Sequence, residues 1–127
     1  MAYSANILGY GRKYEAAGDI SAEQYTFFKR AANDTVVQSG AGEAAVGVLW
    51  NDPAAAGRTA VVITGGEPNV YAGAAVAVGD EIAADANGNA VTAVSTDVVV
   101  GIAREAAGGA GELVRIDFLG EAQYTKA

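Results

Sequence analysis

The stretch DEIAADANGNAVTA, residues 80–93, sets five oxygen-bearing side chains, Asp80, Glu81, Asp85, Asn87 and Asn89, around a single glycine, Gly88. It reads either as a cation loop between helices or as the bend of a β-hairpin, and the two readings lead to different folds. A helix-loop-helix calcium site asks for oxygen ligands at positions 1, 3 and 5, glycine at 6 and a bidentate Glu at 12. Counted from Asp85, Asn87 and Asn89 fall at 3 and 5, but glycine falls at 4 and position 12 is Thr96. The flanks are also wrong, since EIAAD and NAVTAV are strand-like where helices should stand. Asn-Gly between two such runs is a strong hairpin signal, because a type I′ turn needs φ > 0 at both central residues. Asn87 and Gly88 are therefore assigned to a structural turn, and no metal or cofactor is expected.

Working outward from that hairpin, short apolar runs recur with turn signals about every eight to twelve residues, the rhythm of a sandwich or barrel. The expected strands are YTFFKRA, DTVVQ, EAAVGVLW, RTAVVIT, NVYAG, DEIAAD, NAVTAV, DVVVGIARE and ELVRIDFLG. In the last of these Val114, Ile116 and Phe118 alternate with Arg115 and Asp117, as in a half-buried strand. The 127 residues suit one domain, and its apolar content is carried by 29 alanines and many valines beside 17 glycines. That composition fits thin strands and tight turns better than a helical bundle. The fold class is accordingly all-β, a small barrel- or sandwich-like domain.

Two stretches match at an offset of 54: Val46-Gly47-Val48 aligns with Val100-Gly101-Ile102, and Gly57 with Gly111. A hairpin used twice would explain the match, with Gly47 and Gly101 at bulges or at close approaches of another backbone. Chance agreement in an Ala/Gly/Val-rich chain would explain it too.

The chain has no cysteine and no histidine. This removes disulfides, Cys/His zinc sites, thiolate nucleophiles, Ser-His-Asp triads and imidazole catalysis. A glycosidase-like carboxylate pair needs two groups about 5–10 Å apart across a cleft, whereas Asp80 and Glu81 are adjacent and point to opposite faces of a strand. The glycine runs in GAGEAAVG and AGGAGE lack the Gly-Lys-Ser/Thr of a phosphate loop. No enzymatic role is expected. No run is long enough for a membrane span or a signal peptide, so a soluble protein without an address label is expected.

Charge is unevenly spread. The net value is −7, yet residues 1–30 hold four basic against three acidic groups, while the remainder holds four basic against twelve acidic. Nucleic acid would be repelled by such a body. Six of the ten aromatic residues also lie in the first 30 positions. Residues 1–20, interrupted by Gly9, Gly11 and Gly18, show neither strand alternation nor a helical stripe, and read as an extended N-terminal arm preceding a β-rich domain at 21–127. Tyrosines and cations on an arm suit contact with a partner, and Tyr3, Tyr10, Arg12, Lys13 and Tyr14 are the expected contact residues. Deleting residues 2–18 is expected to weaken that contact and leave the domain folded. Trp50, the only tryptophan, reads as a core or subunit-interface anchor.

The order of pieces resembles the small capsid decoration, or cement, proteins of tailed bacteriophages. The resemblance rests on Gly-Asp-Ile at 18–20, Val-Gly-Val-Leu at 46–49, Tyr-Ala-Gly at 71–73, Val-Gly-Asp-Glu-Ile at 78–82, Asp-Ala-Asn-Gly at 85–88, Val-Gly-Ile-Ala at 100–103 and the closing amphipathic strand. It spans about residues 16–118. It implies a β-tulip-type domain that binds the outer surface of the assembled head, as homotrimers at three-fold and quasi-three-fold sites. There it would hold major capsid protein subunits together against internal DNA pressure, on a virion assembled in the host cytoplasm. It brings no catalytic residues.

Two other readings compete. A biotinyl or lipoyl carrier shares the strand-turn-strand rhythm of residues 78–90, but needs a lysine at the hairpin tip, and the chain has none between Lys29 and Lys126. A carbohydrate- or ligand-binding β-sandwich or barrel module would present Trp50 or Tyr71 for stacking on a sugar.

Overall fold

In the computed structural model, which describes residues 8–127, the chain folds as β1 (Leu8–Ala16), β2 (Phe27–Arg30), β3 (Thr35–Gln38), β4 (Gly47–Leu49), β5 (Thr59–Glu67), β6 (Asn69–Tyr71), β7 (Glu81–Ala84), β8 (Ala90–Thr92), β9 (Val98–Val99), β10 (Gly101–Ala103), β11 (Leu113–Phe118) and β12 (Tyr124–Thr125), with one 3-10 turn at Gly120–Ala122. Each of the nine expected strands is present, and the run DVVVGIARE divides into β9 and β10. The fold is all-β, as the turn rhythm predicts. β1 and β12 are strands that the sequence pattern does not announce.

The main sheet runs β1-β3-β2-β4-β5-β11-β10-β7-β8, and β1 also pairs antiparallel with β5. Five strands, β1-β3-β2-β4-β5, therefore close on themselves into a small barrel, β11, β10, β7 and β8 continue the sheet from β5, β6 pairs with β11, and β9 and β12 form a separate two-stranded sheet. Inside the barrel Ala16, Ile20, Phe28, Val36, Leu49, Ala60 and Val62 form one buried cluster with Tyr14 and Val46 packed on it. A larger cluster lies on the other side of β2 and β4, where Phe27 and Val48 meet Val70, Ile82, Val100, Val114, Ile116 and Phe118. Phe27 and Phe28 are both fully buried because adjacent residues of β2 face these two cores. Each such side chain contributes about 1.5–3 kcal/mol of burial free energy.

β1 belongs to the barrel. Residues 8–15 pair with β5, and Glu15 and Ala16 also pair with Thr35 and Val36 of β3. The expected arm, residues 1–20, thus carries in its described part a strand of the same sheet as the domain. Gly9 and Gly11, which look like interruptions in the sequence, allow the close fit: an added Cβ on Gly9 would strike the Gly65 carbonyl, and one on Gly11 would lie 2.8 Å from the Val62 carbonyl oxygen.

The 54-residue repeat is a repeated hairpin with one register. Val48 pairs with Ile63 and Leu49 with Val62, and at the same offset Ile102 pairs with Asp117 and Ala103 with Ile116. Gly57 and Gly111 both take left-handed φ, +82° and +89°, in the two connecting loops. Gly47 and Gly101 are close-approach positions: added Cβ atoms would lie 2.5 Å from Val62 Cγ1 and 2.8 Å from Ile116 Cδ1 respectively. The two hairpins meet through β5 and β11, where Phe118 pairs with Gly66.

Residues 80–93 form the β7-β8 hairpin, with a different turn from the one expected. Gly88 N–H donates to the Asp85 carbonyl at 3.1 Å, and Gly88 alone among the turn residues has positive φ, +72°. This is a longer loop with a left-handed glycine, and a two-residue type I′ turn on Asn87-Gly88 does not form. The extra length has a visible cause, since Asp85 Oδ1 accepts from the N–H groups of both Asn87 and Asn89 at 2.8 and 2.9 Å. The tip is docked as well: Gly88 is buried and its carbonyl accepts from Phe27 N–H at 2.8 Å.

Glu81 opens β7 and clasps the C-terminal segment. Its carboxylate accepts from Lys126 Nζ and, at 2.5 Å, from Tyr124 Oη, while β12 pairs with β9. The Lys126 and then the Tyr124 hydrogen bonds hold the Glu81 carboxyl below its ordinary 4.5. A depressed folded-state pKa contributes stability above the ordinary value that is lost as pH falls through the depressed one. The amides of Thr96 and Lys126, which donate to the Lys126 and Asp97 carbonyls, are therefore expected to lose hydrogen-exchange protection at pH 3 relative to pH 6 before those of β11. Glu81→Gln should flatten that dependence, and equal protection at both pH values in the unaltered chain would refute the clasp.

Candidate functional site

The mouth of the five-stranded barrel opens into a cleft of about 580 Å³. Tyr10, Arg12 and Tyr14 line one wall because alternate residues of β1 share a face. Arg30 reaches the same cleft from the end of β2, in phase with the buried Phe28 two residues earlier. Val46, Phe118 and Leu119 supply apolar surface, and Glu121 stands at the edge. Thr64 also lines the cleft, at the position skipped where the β1-β5 register slips between Tyr10-Gly65 and Gly11-Ile63. Its buried Oγ1 has no hydrogen-bond partner among the described residues.

Tyr10 is 69% exposed, high for a large aromatic ring, and it lies across Gly65, where an added Cβ would fall on the ring. Arg12, Lys13, Arg30 and Arg58 have no carboxylate within ion-pair distance among the described residues. Lys29, Arg104, Arg115 and Lys126 are instead paired with Glu43, Asp117, Glu67 and Glu81. Of the unpaired cations, Arg12 and Arg30 stand beside exposed Tyr10 at the barrel mouth.

Of the expected contact residues, Tyr10, Arg12 and Tyr14 come together in this cleft. Lys13 is exposed but absent from its lining, as its place between Arg12 and Tyr14 requires, and Tyr3 lies outside the described residues. Sequence reasoning missed Arg30 and Thr64. The signal for Arg30 was present, because it follows Phe28 at strand spacing; Thr64 depends on a register slip that no local pattern encodes. Asn87 and Gly88 sit far along the chain in the docked β7-β8 turn. Trp50 is half-buried at the end of β4, its N–H donating to the Val61 carbonyl. Tyr71 meets Tyr25 edge to face at 5.9 Å between ring centres.

Compared with known families, residues 9–118 match the phage cement protein family. The chain belongs to the phage cement proteins. The match begins within β1 and ends with β11, so it includes the barrel and both copies of the repeated hairpin. No curated protein matches. Among solved structures, this cement protein is similar to the N base of head fiber gp8.5 of bacteriophage phi29, at TM-score 0.71 and 19% identity, covering 85% of this chain and 92% of that one. At that identity the likeness speaks for the fold. Family membership makes the cement protein a capsid-associated structural protein.

Proposed function

We propose that this cement protein binds the outer surface of the assembled head as homotrimers at three-fold and quasi-three-fold sites. It there bridges neighbouring major capsid protein subunits and stabilises them against the internal pressure of packaged DNA. The observation that carries the reading is the family match over residues 9–118, which takes in the strand bearing Tyr10, Arg12, Lys13 and Tyr14. Exposed tyrosine and unpaired arginine give contact energy at modest entropic cost, and Tyr3 is proposed as a further contact residue. Many copies on one shell make modest single contacts collectively large. The acidic remainder of the domain then faces solvent and keeps a crowded particle surface soluble. Assembly belongs to the host cytoplasm, where heads are built.

The direct test mixes purified protein with undecorated heads and sediments them. Saturable co-sedimentation, with a trimer mass by light scattering and a raised melting temperature of DNA-filled heads, is the expected result. Protein left wholly in the supernatant would sink the proposal.

A further inference from the structure

We infer that the barrel-mouth cleft receives an acidic, extended segment of the capsid protein, with Arg12 and Arg30 supplying the guanidinium groups that take its carboxylates. This rests on the head-binding reading above and names the chemistry of the contact. Guanidinium is the side chain best matched to a carboxylate, through parallel charge-assisted hydrogen bonds. Both arginines line the cleft, and neither is committed to a carboxylate among the described residues. The surroundings fit an extended chain as well as a charge. Tyr10 and Tyr14 offer ring surface and hydroxyls. About 580 Å³ lies within the roughly 300–1,000 Å³ usual for binding clefts.

Charge selects the occupant. The whole chain carries −7, so an acidic segment is repelled by most of this surface and drawn to the mouth where Arg12 and Arg30 stand together without a carboxylate partner among the described residues. The protein's own residues 1–7, MAYSANI, contain no acidic side chain and do not meet that complementarity. Glu121 at the edge repels a carboxylate on its side and so favours one placement of the incoming segment.

The test uses the full chain and undecorated heads, with affinity measured by sedimentation from 50 to 300 mM NaCl, roughly the range over which screening changes strongly. R12Q/R30Q should raise Kd at least about tenfold and flatten the salt dependence. R58Q changes charge at an exposed arginine outside the cleft and should stay within about twofold. Glu121→Gln should tighten binding about two- to threefold, a gain that misfolding does not produce. Wild-type binding with unchanged affinity in R12Q/R30Q overturns the inference and leaves the head-binding reading standing. Loss of binding together with a fall in oligomer mass overturns it too, because the occupant is then a second copy of this chain. Failure of the wild-type protein to bind heads overturns both.

Discussion

Removing residues 2–18 is expected to abolish cooperative folding, whereas removing residues 2–7 leaves a folded domain. The longer deletion takes out β1, which pairs with β5 from Leu8 to Glu15 and touches β3 through Glu15 and Ala16. Without it the five-stranded ring opens and two strand edges lose their partners. Phe28, Val36 and Val62, all fully buried, then lie on an exposed face. Unsealing three such side chains costs about 5 kcal/mol, comparable to the whole stability of an ordinary domain. The shorter deletion leaves every described β1 pairing in place. Circular dichroism melts and amide chemical-shift dispersion read the outcome. A sharp transition within a few degrees of the full chain after removal of 2–18 would mean that β1 is an accessory strand. The consequence for function is direct: binding lost on deleting this segment says nothing about contacts, and substitutions at Tyr10, Arg12 and Tyr14 are the informative variants.

The fold was legible where a strand buries one face and ends on a turn residue. β11 shows this most plainly, with Val114, Ile116 and Phe118 buried between half-buried Arg115 and Asp117. The repeated hairpin was legible as well, because both copies put glycine where a neighbour crowds the backbone. β1 was not, for the same physical reason seen from the other side. Its Gly9 and Gly11 meet the β5 backbone, and a glycine chosen for a long-range contact looks, in the sequence, like a break. The turn at residues 85–89 was placed correctly and typed wrongly, since Asp85 binds two backbone N–H groups and draws the loop into a longer form than Asn-Gly alone would set. Three of the cleft residues were visible as an aromatic and cationic cluster in sequence. That they share a wall with Arg30 follows from β1 closing the barrel, which pairing across the chain decides.

The glycines supply the other large effect, and they separate crowding from backbone strain. Gly47→Val is expected to destabilise by about 3 kcal/mol or more, because the new Cβ meets the Ile63 carbonyl oxygen and comes 2.5 Å from Val62 Cγ1, and β4 is buried throughout. A backbone carbonyl in a paired strand has no room to yield. Gly101→Ala, at the matching place in the second hairpin, faces Ile116 Cδ1 at 2.8 Å and the Asp117 carbonyl oxygen at 3.0 Å, so the side chain can turn aside and about 1–2 kcal/mol is expected. Gly88→Val combines both costs: φ is +72°, and the added atoms meet Gln38 Cγ at 2.7 Å and the Phe27 carbonyl oxygen at 3.1 Å, giving about 2–4 kcal/mol. Gly57→Ala isolates strain, with φ +82° and no atom within 4 Å of the new Cβ, and should cost about 1 kcal/mol. For a chain of this size each kcal/mol moves the melting temperature by about 3–5 °C, so the order of the four variants is measurable by calorimetry. If Gly57→Ala proved as damaging as Gly47→Val, strain in the loops and not the crowding of Gly47 against β5 would be the main constraint. The shared register of the two hairpins would then rest on the left-handed glycines at 57 and 111 that end each loop.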